Sequence, residues 1–205
     1  MDLVASEPWD EVTMPTIAKA ASVKLDVLRS AYDSRLSILE DLARRTDMAV
    51  LRDLDPNLHE EKIRDRFFEV LMQRLDVLTP YKPGLKALSH QARRDPILGL
   101  ALLRTVFQSQ GWMVMAAGLG SGGLQGVVRT KAVSLAYLET MRVWFEDDEP
   151  GLAKTMSALD KALRKAESRL KRMAWLGKLV MPKRFGKDSK SDKADDFHDE
   201  AAPAA

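Results

Sequence analysis

One run constrains this chain more than any other. Residues 97–119 read ILGLALLRTVFQSQGWMVMAAGL, and Arg104 is the only charge among them. At about 1.5 Å per residue, a helix over this run spans roughly 30 Å, the diameter of a small domain. A helix that is apolar on most sides is either the centre of a bundle or a membrane span. Arg104, Gln108, Ser109 and Gln110 sit mid-run, where hydrocarbon penalises them heavily. The run therefore reads as a buried central helix. A chain of 205 residues has enough length to surround it, in one domain or in a small and a larger one. Aromatic residues are scarce, whereas Ala, Leu, Arg, Lys, Asp and Glu dominate, which favours helices over strands. The expected fold class is all-α.

There is no cysteine, which excludes disulfides and thiolate metal sites and fits a reducing compartment. The start, MDLVASEPWD, has neither a basic n-region nor a long apolar h-region and does not read as a signal peptide. The expected location is the cytoplasm, with room for a peripheral site on the inner membrane. Net charge is +2, but it is unevenly placed. From Lys161 to Lys187 ten Lys and Arg face one acid, Glu167; from Asp188 onward six acids face two lysines. A basic stretch of this kind can meet nucleic acid or anionic lipid, and the acidic tail can screen it.

Taken in order, the chain punctuates itself. Residues 1–8 are too short for a full first helix before Pro8, and Trp9 and Val12 look like core anchors. Thr13 is a good N-cap, with Pro15 in the first turn. Ile17, Ala18 and Ala21 form one short helical face, Ser22 a turn, and Val23, Val27 and Leu28 a second face. Ser34 then caps a longer helix with Leu36, Leu39, Leu42, Ala43 and Val50 inward. Two short helices, a tight turn and a long helix are a helix-turn-helix layout.

The stretch TMPTIAKAASVKLDVLRSAYDSRLSILEDL resembles the DNA-binding region of TetR-family regulators. Thr13, Ile17, Ala18, Ala21, Val23, Leu28, Tyr32, Ser34, Arg35 and Leu39 match that family's apolar and capping positions. Ser22 stands where the family usually has Gly, and Arg29 and Ser30 stand where it usually has an aromatic pair. The resemblance implies a TetR-like fold: a helix-turn-helix region over 1–52 and a ligand-binding and dimerisation bundle over 59–170. It also implies a homodimer, and DNA as one partner, touched by Lys24, Arg29 and Arg35.

The bundle is spelled out by apolar spacing. Ile63, Phe67, Val70, Leu71, Arg74 and Leu78 recur at helical intervals, and Pro80 and Pro83 end that helix and start the next. Asp95 can cap the central helix. GLGSGGLQG at 118–126 reads as a loop, because no strand precedes it and no P-loop Lys-Ser/Thr follows. Val128, Leu135, Leu138, Met141 and Trp144 point inward from the next helix. Asp147 and Asp148 read as a solvated helix end, and Leu152, Met156, Leu159, Leu163, Ala166 and Leu170 form the stripe of the last helix.

Three parts of this region, RDRFFEVLMQRLDVLTPY, ALLRTVFQSQGWMVMAAG and RTKAVSLAYLETMRVWFEDDEP, are similar to a family of TetR-like lipid-binding accessory proteins of coenzyme Q (ubiquinone) biosynthesis. Leu78, Pro80 and Tyr81 match its Leu-x-Pro-Tyr turn, Trp112, Ala116 and Gly118 its Trp-then-Gly helix end, and Asp147, Asp148 and Pro150 its helix boundary. That resemblance implies a non-enzymatic binder of a hydrophobic lipid or isoprenoid, quinone-like ligand. Leu103, Phe107, Trp112, Met115, Met141 and Trp144 are the candidate lining; ordinary core is the other reading of the same residues.

No catalytic constellation is present. His59, His90 and His198 are scattered, without a partner at metal-ligand spacing. Nothing in the sequence calls for a cofactor. Beyond Leu170 the one-sided stripe gives way to apolar residues on nearly all sides, interspersed with basics. Lys171, Arg172, Trp175, Leu176 and Leu179 within 171–187 make a candidate membrane contact; packing on the domain or on a dimer partner is the other reading. Residues 188–205, polar, charged and Ala/Pro-ended, read as a disordered acidic tail.

Overall fold

Thr13 starts the N-terminal unit as its side chain suggests. In the computed structural model, which describes residues 1–180 and side chains as far as 172, Thr13 and Thr16 form a reciprocal capping box at the head of α2 (Met14–Ala20). Helix α3 (Leu25–Ala31) follows after a turn, and Ser34 caps α4 (Arg35–Arg52) with the same reciprocal pairing to Ser37. The turn between α2 and α3 requires left-handed backbone at Ser22, where φ is 56°. A non-glycine residue pays about 1–2 kcal/mol there. Ser22→Gly should relieve it, less the roughly 0.5–1 kcal/mol that glycine's freedom costs elsewhere. The expected rise in melting temperature is roughly 1–4 °C, read by circular dichroism; a fall would show that the turn is not strained.

A brace does precede the motif. Helix α1 (Asp2–Ser6) is only five residues long, and it lies on α6 (Lys82–Gln91) rather than on the motif itself. Gly84 makes this approach possible: a Cβ there would stand 2.8 Å from the Met1 carbonyl oxygen. Trp9 and Val12 are buried, as expected, in a small core with Val4, Leu39, Leu88 and Leu98. Val23 and Val27 are exposed instead of forming an inner face, and Leu28 alone anchors α3. A seven-residue helix buries one side, and Leu28 takes it.

The larger core is built by α5 (Ile63–Leu78), α7 (Pro96–Ala116), α8 (Gly123–Trp144) and α9 (Ala153–Val180), with Val50 and Leu58 closing one end. The linker before α5 contains a 3-10 turn, Pro56–Glu60, and α5 begins at Ile63, the first residue of its apolar spacing. Asp95 caps α7 by accepting the backbone N–H groups of Ile97 and Leu98 at 2.9 and 3.1 Å. Among the described residues there is no strand, and no helix is long and apolar enough to cross a membrane. The described structure is thus all-helical, and α7 belongs to a bundle.

Helix α7 is not buried all round, however. Ile97 is 78% exposed, Leu100 70% and Trp112 52%, all on the face that carries Arg104 and Gln108. Its neighbours α4, α5, α6 and α8 leave that face uncovered. Leu135 and Met156 also face outward, against the inward expectation. Helix α9 runs without a break past Leu170 to Val180, so no chain break separates the stripe from the basic segment.

Candidate ligand cavity

Five helices leave an apolar cavity of about 340 Å³ between them. Leu39 and Leu42 come from α4 and Leu78 from α5; Leu85 and Leu88 come from α6. Helix α7 adds Leu102, Leu103 and Val106, and α8 adds Leu138 and Met141, with Phe145 just past its end. The size lies within the range of small-molecule sites. Other depressions differ in chemistry: one of about 510 Å³ is lined by Asp53, Asp55, Glu69 and Asp76 among others.

The inner wall is polar and closed. Arg74 donates from Nε and Nη2 to Ser109 Oγ at 3.0 and 2.6 Å, and from Nη1 to the Tyr137 hydroxyl at 3.0 Å. Ser109 donates its own proton to Asp47 Oδ1 at 2.5 Å, and Arg74 Nη2 lies 3.3 Å from the same oxygen. All four side chains are buried, and they tie α4, α5, α7 and α8 together. Burial pushes the Asp47 carboxyl up, while Arg74 and Ser109 pull it down. Burial also pushes the Tyr137 hydroxyl up. Arg74 and Tyr137 face the cavity, whereas Asp47 and Ser109 face a separate groove beside Trp112. The network is the partition between the two. Of its members, only Arg74 stands out in the sequence, as a charge inside an apolar stripe.

The expected lining residues divide. Leu103 and Met141 line the cavity. Trp112 lies across the partition, on the groove. Phe107 and Met115 border neither space. Trp144 is fully buried below, its ring 5.3 Å from that of Phe145 and 5.7 Å from Lys82 Nζ. Lys82 also bonds the Asp147 carbonyl at 2.7 Å and Asp148 Oδ1 at 2.9 Å. Asp147 is not solvated as its neighbour is. It is fully buried, and its Oδ2 accepts the backbone N–H and the hydroxyl of Thr155 at 2.8 and 2.7 Å. Those bonds hold its carboxyl below the usual range, and they cap the first turn of α9.

The candidate DNA contacts are also differently placed. Lys24 and Arg29 are exposed beside α3, and Arg29 is paired with Asp33 at 2.5 Å. Arg35 is half-buried. Its guanidinium stacks 4.3 Å over the Trp9 ring and donates to the carbonyls of Trp9 and Val12, so it braces the chain before α2. The Tyr32 hydroxyl bonds Asp41 at 2.8 Å and ties the end of α3 to α4. Tyr32, Arg44 and Arg45 hold the Asp41 carboxyl down to about 2. Of the candidate membrane contacts, Lys171 and Arg172 are exposed, Lys171 2.6 Å from Glu167. The side chains of Trp175, Leu176 and Leu179, and residues 181–205, lie outside the described residues.

This arrangement is similar to a solved structure of a TetR transcriptional regulator from Nitrosomonas europaea ATCC 19718. The match has a TM-score of 0.61 at 20% identity and covers 81% of this chain and 92% of that one. The fold is TetR-like. No family profile and no curated protein matches the chain. Among the described residues no group of His, Asp and Glu is placed to hold a metal.

Proposed function

We propose that this protein is a non-enzymatic TetR-fold binder that takes a hydrophobic, isoprenoid or quinone-like ligand into its bundle and supports ubiquinone synthesis at a membrane surface. The cavity between α4 and α8 carries this reading, because its walls are apolar and its inner wall is a finished polar network. The ubiquinone role rests on the resemblance of residues 60–165 alone. The membrane role rests on Lys171, Arg172 and the composition that follows them. A lipid extract of the purified protein, read by mass spectrometry, should contain a long-chain apolar species near one per chain. An empty cavity together with a footprint on the protein's own promoter that survives physiological salt would reverse the reading.

That second outcome belongs to the alternative, a DNA-binding regulator. The helix-turn-helix spacing favours it, and so does the likeness to a solved TetR transcriptional regulator. The charge of the motif opposes it. Residues 1–35 hold six acids against four Lys and Arg, with Arg35 turned inward and Arg29 paired. DNA affinity depends on phosphate neutralisation, so binding is expected to be weak and non-specific.

The protein is also proposed to dimerise through α8 and α9. Leu124, Val127 and Leu135 on α8 are left exposed, and two such helices per chain make an isologous four-helix interface. Light scattering should show a dimer at micromolar concentration and a monomer for Leu135→Glu. A monomeric wild type would end this proposal.

A further inference from the structure

We infer that the occupant of the cavity is an amphiphile with a single apolar tail and an anionic head, carboxylate or phosphate, which Arg93 and Arg142 hold at the rim. The inference rests on the reading of the cavity as a hydrophobic-ligand site and adds the charge of the ligand. The tail follows from the walls. At about 30 Å³ for each water-sized volume, a space of about 340 Å³ takes on the order of ten methylene-sized groups.

The head follows from the polar groups that line the same space. Ser89 gives its hydroxyl proton to the Lys86 carbonyl at 2.8 Å, and Thr105 gives its proton to the Ala101 carbonyl at 3.1 Å. Arg74 and Tyr137 are engaged with each other, and Arg74 with Asp47 and Ser109. Arg93 and Arg142 remain. Both line the cavity and both are exposed, which puts them at its solvent edge. Among the described residues neither has an ion pair or a side-chain hydrogen bond, and no Asp or Glu lines the cavity. A guanidinium is a planar fork that fits carboxylate and phosphate in two-bond geometry. Two of them beside an apolar opening favour an anionic amphiphile over a neutral alcohol of the same tail.

Calorimetric titration of the full chain with decanoate, decyl phosphate and decanol tests this directly. At least one anion should bind about ten-fold tighter than decanol, which is the step a charge-assisted hydrogen bond supplies. Whichever anion binds tighter names the head. Arg93→Gln with Arg142→Gln should erase the advantage and leave decanol binding as it was. Both side chains are exposed, so the double variant should keep the wild-type melting curve. Decanol binding as tightly as both anions, or an anion preference that survives the double variant, overturns the inference. Leu103→Trp, at the exposed edge of the cavity, separates the two levels. If it weakens decanol and no anion preference exists, the cavity reading stands and the head-group inference alone fails. If wild type binds none of the three, both fail.

Discussion

Asp47→Ala should cost the protein about 3–5 kcal/mol of folding stability, the loss expected when one partner of a buried ion pair is removed. Arg74 would keep its bonds to Ser109 and Tyr137, but both partners are neutral. Its charge would then sit in a bundle interior with no counter-charge at 3.3 Å. Ser109 would lose its acceptor as well. The fourfold variant Asp47→Leu, Arg74→Met, Ser109→Ala and Tyr137→Phe should recover most of the loss, since it removes the pair together with the two hydroxyls that would otherwise be left buried without partners. Urea denaturation followed by circular dichroism measures both. A single-variant loss under about 1 kcal/mol would mean that water reaches Arg74, and the partition between cavity and groove would then be open. The effect should extend beyond α4, because Asp47 is the point where α4 joins the network of the other three helices.

Local chemistry makes much of this fold readable. Thr13, Ser34 and Asp95 cap the helices their side chains suggest, because a cap needs only a side-chain oxygen and a nearby N–H. Trp9, Val12, Leu39 and Val50 lie inside as their spacing implies. The outer face of α7 is illegible for the opposite reason. A helix apolar on nearly every side has no polar stripe to mark which face meets water, so Ile97 and Leu100 look the same as Leu98. Asp147 and Asp148 are adjacent carboxylates, and nothing within a turn of them says which one folds back on Thr155. The Asp47–Arg74–Ser109–Tyr137 network lies further still from local reach. Its members come from four helices, and periodicity links residues only along one. The cavity itself is half legible. Leu103 and Met141 belong to the expected lining, while the walls from α4 and α6 do not, since small differences in helix placement decide which leucines border a void.

The two tryptophans of the expected lining give the sharpest separation of core from site. Trp144→Ala should destabilise the protein by about 3–5 kcal/mol, the usual cost of truncating a buried aromatic. Its ring is 0% exposed, packs against Phe145 and lies under Lys82. The same lysine joins α6 to the turn at Asp147 and Asp148, so the void would open where three segments meet. Trp112→Ala should cost less, about 1–1.5 kcal/mol, roughly half the worth of a fully buried large apolar side chain, because half of that residue already faces water. Neither ring borders the cavity. Ligand affinity should therefore be unchanged in Trp112→Ala and in the volume-sparing Trp144→Phe, measured with decanol by calorimetry. If Trp112→Ala abolished binding while the protein stayed folded, the ligand would have to sit in the groove beside Met48 and Gln108. The site would then lie on the far side of the Arg74 network.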